Sequence, residues 1–284
     1  MHSSATIAKP RVEYPAPFVT ISSSHRHQNI GELWANRELV YLLAWRDVKV
    51  RYKQTALGVA WALLQPAMTM LVFTIFFGKL AKLPSGGLPY PVFCFSALLP
   101  WMFFANGVTK TSNSLIGSEN LIKKVYFPRL AIPLAALGSD LIDLLVSSGF
   151  LLLLMAWYRV WPSVNILVVP LLTLQLAMVT FGLGSALAAL NVKYRDVRYV
   201  VPFMTQFLLF LTPIAYAATL VPSRWRAVYA LNPLVGIVEE FRWAFLNAHA
   251  PIWPLLVSLL SSVVVLVAGL LYFERMQEEL ADML

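Results

Sequence analysis

Charge is scarce in this chain. Only 13% of its 284 residues are Asp, Glu, Lys or Arg, and 59% are hydrophobic. Soluble domains carry about 25% charged and about 45–50% apolar residues, so a water-soluble globular fold is excluded. Cysteine is scarcer still: Cys94 stands alone in an apolar stretch, which rules out an intrachain disulfide and suits a buried packing thiol. The four histidines, His2, His25, His27 and His249, show no metal-ligand spacing. The single Gly-Lys pair, Gly78-Lys79, is followed by Leu80, so there is no phosphate-binding loop of the Walker type. No zinc-protease helix and no Gly-x-Ser-x-Gly nucleophile elbow occurs either. If energy is used, another chain supplies it. The first 57 residues contain no apolar core of a secretory signal, so none is expected.

Long apolar runs dominate what is present. Six segments, 58–78, 91–109, 131–157, 164–190, 200–218 and 252–273, are each about long enough to cross a bilayer. The expected fold is an all-α integral membrane protein with six transmembrane helices. Residues 1–29, rich in Ser, Pro and His, read as a poorly ordered tail, 30–57 as an amphipathic interface helix, 58–273 as the six-span domain and 274–284 as a second tail. Lys and Arg fall sixteen to six in favour of the side holding residues 1–57, 110–130, 191–199 and the C-terminal tail. The positive-inside rule makes that side cytoplasmic, with both termini there. The net charge of +8 is then a topology signal, and no nucleic-acid patch is needed.

In residues 30–57, Leu39, Leu42, Leu43 and Val50 form one helical stripe, with cationic heads from Arg37, Arg46, Lys49, Arg51 and Lys53. Such a helix lies in the headgroup plane with its apolar face in lipid. Two readings stand: a membrane anchor, or an anchor whose Arg46, Lys49, Arg51 and Lys53 also receive a phosphorylated substrate head. The cytoplasmic stretch "GSENLIKKVYFPRLAIP" (117–133) reads as a short helix with Ser118 as N-cap, Glu119 at its positive start, Lys123 and Lys124 at its far end, and Pro128 as its stop. Leu121 with Val125, and Ile122 with Tyr126, stack at i, i+4 as an apolar ridge. That ridge lies on lipid or fits a groove in another protein. "NVKYRDVRY" (191–199) is either a basic flank with a local Arg195–Asp196 ion pair or a second contact for the same partner.

Asp140 and Asp143 are the only carboxylates inside the six segments. A spacing of three puts them on one face, with Asp140 roughly 15 Å in from Leu130 and therefore near mid-bilayer. No Lys, Arg or His accompanies them inside the spans, so structural or passage-lining roles are favoured over a proton or metal site. Trp157, Trp161, Trp225 and Trp253 sit at expected outer interfaces as an aromatic belt, whereas Trp101 lies deeper, for sugar stacking or for helix packing. Gly182, Gly184, Ala186 and Ala188 offer small-xxx-small spacing for close helix contact. Residues 219–251 are apolar but interrupted by Pro222 and Asn232-Pro233, as in a re-entrant pair shielded by protein.

Several of these stretches together resemble one family. "RYKQTALGVAWALLQP" (51–66), "LLPWMFFANGV" (98–108), "ENLIKKVYFPRLAIP" (119–133), "NVKYRDVRY" (191–199), "LTPIAY" (211–216) and "LNPLVGIVEEFR" (231–242) are similar, in order, to ABC transporter permeases that export O-antigen and related bacterial polysaccharides. The resemblance covers nearly the whole chain from about residue 33 and implies a homodimer in the bacterial inner membrane, joined to two copies of a cytoplasmic ATP-binding subunit. ATP and Mg would be held by that subunit, with no cofactor in this chain. Residues Glu119, Asn120, Leu121, Ile122, Lys123, Lys124, Val125, Tyr126 and Phe127 would form the coupling helix, with Tyr194, Arg195 and Asp196 as the second contact. The segment 30–55 would be an interface and gate helix ending in the turn Thr55–Gly58, and 219–248 would supply outer gate helices. The cargo would be a long glycan on a polyprenyl-pyrophosphate or other lipid carrier.

A sugar polymer cannot cross hydrocarbon unaided, because each unpartnered hydroxyl costs several kcal/mol, about 4–8 in the least forgiving solvent. Phe73, Phe76, Phe77, Trp101, Phe104 and Tyr216, with Asp140 and Asp143, are lining candidates by position and chemistry. Rival readings are an intramembrane lipid-pyrophosphate enzyme with Mg²⁺ on Asp140 and Asp143, a proton-coupled carrier using the same pair, and a permease for another glycan, a drug or a lipid.

Overall fold

The computed structural model describes residues 30–53, 60–124, 127–248 and 252–283. The N-terminal tail, the turn at Thr55–Gly58, and Val125 and Tyr126 of the expected coupling helix lie outside the described residues. Among the described residues the regular structure is helical throughout, with no strand.

Two helices precede the first span. α1 (Ile30–Ala35) and α2 (Arg37–Lys53) part at Asn36, whose side-chain amide donates to the Glu32 carbonyl at 2.8 Å. α3 (Ala60–Phe73) contains Pro66 and widens into a π turn over Thr74–Leu80, a geometry that helices adopt only locally. α4 (Tyr90–Gly117) follows, begun by Pro91 in its first turn. A single turn, α5 (Glu119–Ile122), leads to α6 (Ala131–Ala136) and α7 (Gly138–Trp157). A 3₁₀ turn over Val164–Val168, capped by the Ser163 side chain, starts α8 (Val169–Lys193). Then come α9 (Val197–Leu211), α10 (Ser223–Ala230), α11 (Pro233–Leu246) and α12 (Ile252–Met283). α11 is cut out cleanly: Asn232 accepts from the Leu234 N–H, Pro233 opens the helix and Asn247 ends it in the left-handed region at φ 54°.

Among the described residues five helical stretches are long and apolar enough to cross a membrane: Ala60–Leu80, Tyr90–Gly117, Ala131–Trp157, Val164–Lys193 and Trp253–Met276. The remaining expected segment, 200–218, is the 15-residue α9 followed by irregular chain from Thr212. Boundaries differ elsewhere too. The second span continues to Gly117 and so takes Lys110 into its helix, and α12 runs past 273 into the expected tail.

α4 is the axis of the fold. Within its most apolar stretch 78% is buried, against 6% for α3, so the other helices pack around α4 while α3 stands at the edge. Its main core gathers Phe95, Leu98, Phe104, Leu151, Leu176 and Phe241. The small residues of α8 perform their expected packing work. A Cβ on Gly182 would stand 2.5 Å from the Leu266 Cα of α12, and one on Gly184 would stand 2.7 Å from the Thr111 side chain of α4. A second core lies at the end of the bundle that carries α2 and α5. There Leu43 of α2 meets Leu115, Phe127, Leu130, Ala189 and Phe273. This is the α2 end of the bundle, and the opposite one, carrying α10 and α11, is the α10 end.

Candidate functional site

Four charges from three elements converge where α2 meets the bundle. Arg51 places Nη2 2.5 Å from Asp143 Oδ2 and Nη1 3.5 Å from Asp140 Oδ1. Lys110 of α4 reaches the same Asp140 Oδ1 at 2.5 Å and Ser139 Oγ at 2.8 Å. The Tyr52 hydroxyl donates to Asp143. Burial first, and then this bond, raise the Tyr52 phenol above its ordinary range, so it remains a donor. Asp140 is 1% exposed, and a carboxylate so enclosed requires paired cations. A cleft between α3, α4 and α7, lined by Trp61, Gln65, Met102, Phe103, Asn106 and Ser147, opens beside the cluster.

The expectation of an aspartate pair unaccompanied by Lys or Arg is therefore corrected. The helix breaks at Leu137, so Asp140 falls in the first turn of α7. Its countercharges come from α4, whose length carries Lys110 inward, and from α2. The four α2 cations also separate. Arg51 is engaged with both aspartates, Arg46 pairs locally with Asp47 at 2.9 Å, Lys49 sits over the Trp45 ring, and Lys53 is exposed. The expected single apolar stripe divides as well: Leu43 and Val48 are buried against the bundle, whereas Leu42 and Val50 face away with Tyr41 and Trp45. Protein covers one side of α2, which leaves the other for solvent or lipid.

The short helix after α4 is reoriented relative to expectation. Leu121 and Ile122 form no exposed ridge but pack against the second core, and Phe127 is buried in it. What α5 shows outward is Asn120, Lys123 and Lys124. Ser118 holds the N-cap position without a side-chain cap bond, and Glu119 pairs with Lys123 at 2.5 Å. The Glu119 carboxyl is held below its usual range chiefly by Lys123, with Arg195 contributing, so the 191–199 turn shares this surface. Tyr194, Arg195 and Asp196 are exposed there. Leu39, Val40 and Leu43 of α2 and Leu121 and Ile122 of α5 enter the same core, so α5 and α2 are joined through packed side chains.

The lining candidates scatter. Phe76 is exposed on the π turn of α3, with Phe73 and Phe77 partly buried beside it. Trp101 and Phe104 are 4% and 1% exposed and serve the chain's own core. Tyr216 lies at the α10 end, its hydroxyl 3.0 Å from that of Tyr229. Trp157, Trp161, Trp225 and Trp253 are exposed, as an interfacial belt requires.

Among the described residues no group of three or more His, Cys, Asp or Glu could hold a metal ion. Among the described residues five apolar spans, α4 central among them, and a charged, partly exposed surface at one end define a multi-pass membrane protein. Residues 38–246 match the family model described as ABC-2 type transporter, and the chain belongs to that family of ABC transporter permeases. It is 30% identical over 258 residues to the O-antigen export system permease protein RfbA of Myxococcus xanthus, covering 89% of this chain and 98% of the relative. It is 26% identical over 257 residues to the protein of the same name from Klebsiella pneumoniae, covering 90% and 97%. A more distant relative is the polysialic acid transport protein KpsM of Escherichia coli, 24% identical over 215 residues and covering 74% and 82%. Permeases of this family are the membrane part of a transporter and work with an ATP-binding subunit.

Lys110, Tyr52, Glu239 and Arg242 escaped the sequence reading. The demand of Asp140 and Asp143 for cations was the available signal, and the abrupt Lys110 after an apolar run was the nearest answer.

Proposed function

We propose that this chain is the transmembrane subunit of an ATP-driven exporter for a lipid-linked, O-antigen-like polysaccharide, working as a homodimer in the bacterial inner membrane with two ATP-binding subunits. The observation that carries this reading is the surface shared by α5 and the 191–199 turn. It combines exposed Asn120, Lys123, Lys124, Tyr194, Arg195 and Asp196 with an apolar root that reaches α2. In this reading the nucleotide-driven motion of the partner enters at α5 and leaves through α2, which tilts against α7. Both termini are cytoplasmic, and α9 with the chain after it makes the sixth crossing. The exposed apolar faces of α3 and α9 are where two copies enclose the path, so Phe76 and the α9 column Tyr199, Phe203 and Phe207 replace Trp101 and Phe104 as wall candidates. Aromatic faces with few fixed charges let a neutral glycan slide without sticking.

Purification of the tagged chain from native membranes tests this. A stoichiometric ATPase is expected with the wild-type chain, and Lys123→Glu with Lys124→Glu is expected to remove at least about nine-tenths of it, a change of about 1.4 kcal/mol or more in association. The same ATPase content in the variant overturns the coupling role. No ATPase with the intact chain overturns the exporter.

A further inference from the structure

The weakest crossing has the strongest anchor. At 1.5 Å per residue the 15 residues of α9 span about 22 Å, short of a hydrocarbon core of about 30 Å. The chain then continues without regular helix from Thr212 to Ala217, and Thr212, Ile214 and Ala215 are all buried. Irregular backbone at such depth persists only where protein supplies hydrogen-bond partners.

One side chain supplies most of them. Arg242 of α11, 1% exposed, donates from Nη2 to the Ile214 carbonyl at 2.9 Å and from Nη1 to the Tyr216 carbonyl at 3.4 Å. Nη1 also meets Glu239 Oε1 at 2.9 Å, which balances the charge. The guanidinium lies over the Phe93 ring of α4 at 3.7 Å. Between the two carbonyls, that of Ala215 accepts from the Tyr90 hydroxyl at 2.6 Å. Three successive carbonyls of the break are thus held by α11 and by the first turn of α4. The planar guanidinium fork makes this possible, since a lysine ammonium offers no two divergent donors in a plane and no flat face for Phe93.

We infer that Arg242 is a positioning residue that keeps the α10 end of the export path closed by fixing Ile214–Tyr216, an inference that rests on the exporter reading. Opening at that end must then move α11 and the break together, or free the break from Arg242. Neither route is available to α9 alone.

The test uses the chain assembled with its ATP-binding subunit. Cys94→Ala removes the one native thiol, and Ala215→Cys places a probe of similar volume on the held segment. Labelling by a membrane-impermeant maleimide added to the face opposite the ATPase is compared with ATP-independent leak of a small charged dye from proteoliposomes. Wild-type Arg242 is expected to give slow labelling and no leak. Arg242→Lys is expected to speed labelling at least about tenfold and to open a leak, and Tyr90→Phe, which removes one neutral bond, to speed labelling only about two- to fivefold. A residue serving only the fold would lower the yield of complex while leaving both readouts of the assembled fraction unchanged, and that result overturns the inference. Faster labelling without leak also overturns it, because the break would move without unsealing the path. Failure of the exporter reading is separate: it shows as absence of the ATPase from the wild-type preparation.

Discussion

Two arginines divide the chemistry of this permease. Arg51, at the α2 end, has a side chain 32% exposed and is held by carboxylate side chains of Asp140 and Asp143. Arg242, at the α10 end, is 1% exposed and is held largely by main-chain carbonyls and the face of Phe93. Side-chain partners on a half-open cation are exchangeable, because water or another anion can take their place. Carbonyl partners of a sealed cation are fixed by the fold itself. In the proposed exporter the two kinds of joint would serve different ends: one that yields where energy and substrate would enter, and one that holds shape where the path would end.

The largest effect expected on this comparison comes from Asp140, the one sealed member of the yielding cluster. Asp140→Ala leaves Lys110 without its carboxylate and half-frees Arg51. Breaking a buried pair from one side costs about 3–5 kcal/mol, and the exposure of both cations places this case at the lower end. The expected outcome is a loss of most folded complex in detergent, with partial recovery on adding Lys110→Met. If the single variant keeps wild-type thermal stability, the cluster is not a structural tie and the contrast with Arg242 fails.

Arg51→Gln is expected to act more gently. Its exposed side and the retained Lys110–Asp140 pair limit the stability loss to about 1–2 kcal/mol. Export should nevertheless fall, since α2 loses its ionic tie to α7 and keeps the Tyr52–Asp143 hydrogen bond in its place. Thermal unfolding and export measured on one preparation separate the two effects. A stability loss as large as that of Arg242→Gln would show that exposure does not distinguish the two arginines.

One of these sites is more legible in the sequence than the other, for reasons that lie in range. Helix content, most of the spans and the close packing of the small residues of α8 are local or periodic, whereas α12 as the partner of Gly182 emerges only in the fold. Asp140 and Asp143 stood out as carboxylates in an apolar run, but their partners come from 30 and 89 residues away. Nothing local could reveal that α4 extends to Gly117 and carries Lys110 inward. Arg242 read as one more cation outside the spans. Its partners at Ile214 and Tyr216 are carbonyls, which every residue has, so side-chain chemistry left no trace of the clamp. The inward turn of Leu121 and Ile122 was hidden likewise, since an i, i+4 ridge shows which residues share a face and not which way that face points.

The smallest effect is expected at Glu119, and it sharpens the distinction between holding and yielding joints. Its pairing with Lys123 keeps the carboxyl below its usual range on a solvent-facing, half-exposed side chain. A depressed carboxyl contributes stability that is present above its unfolded value and disappears as pH falls through the folded one. Glu119→Gln should therefore leave thermal stability at pH 7 almost unchanged and abolish only a slight loss on acidification. Its consequence lies in the partner. Removing one negative charge beside Lys123, Lys124 and Arg195 makes the α5 surface more cationic, so association with an ATPase that presents acidic groups there should strengthen and become more sensitive to salt. Titrating the ATP-binding subunit against the assembled permease at two ionic strengths reads this directly. Weaker binding in the variant would mean that Glu119 itself meets a cation on the partner, and the lysines would then no longer be the principal contact.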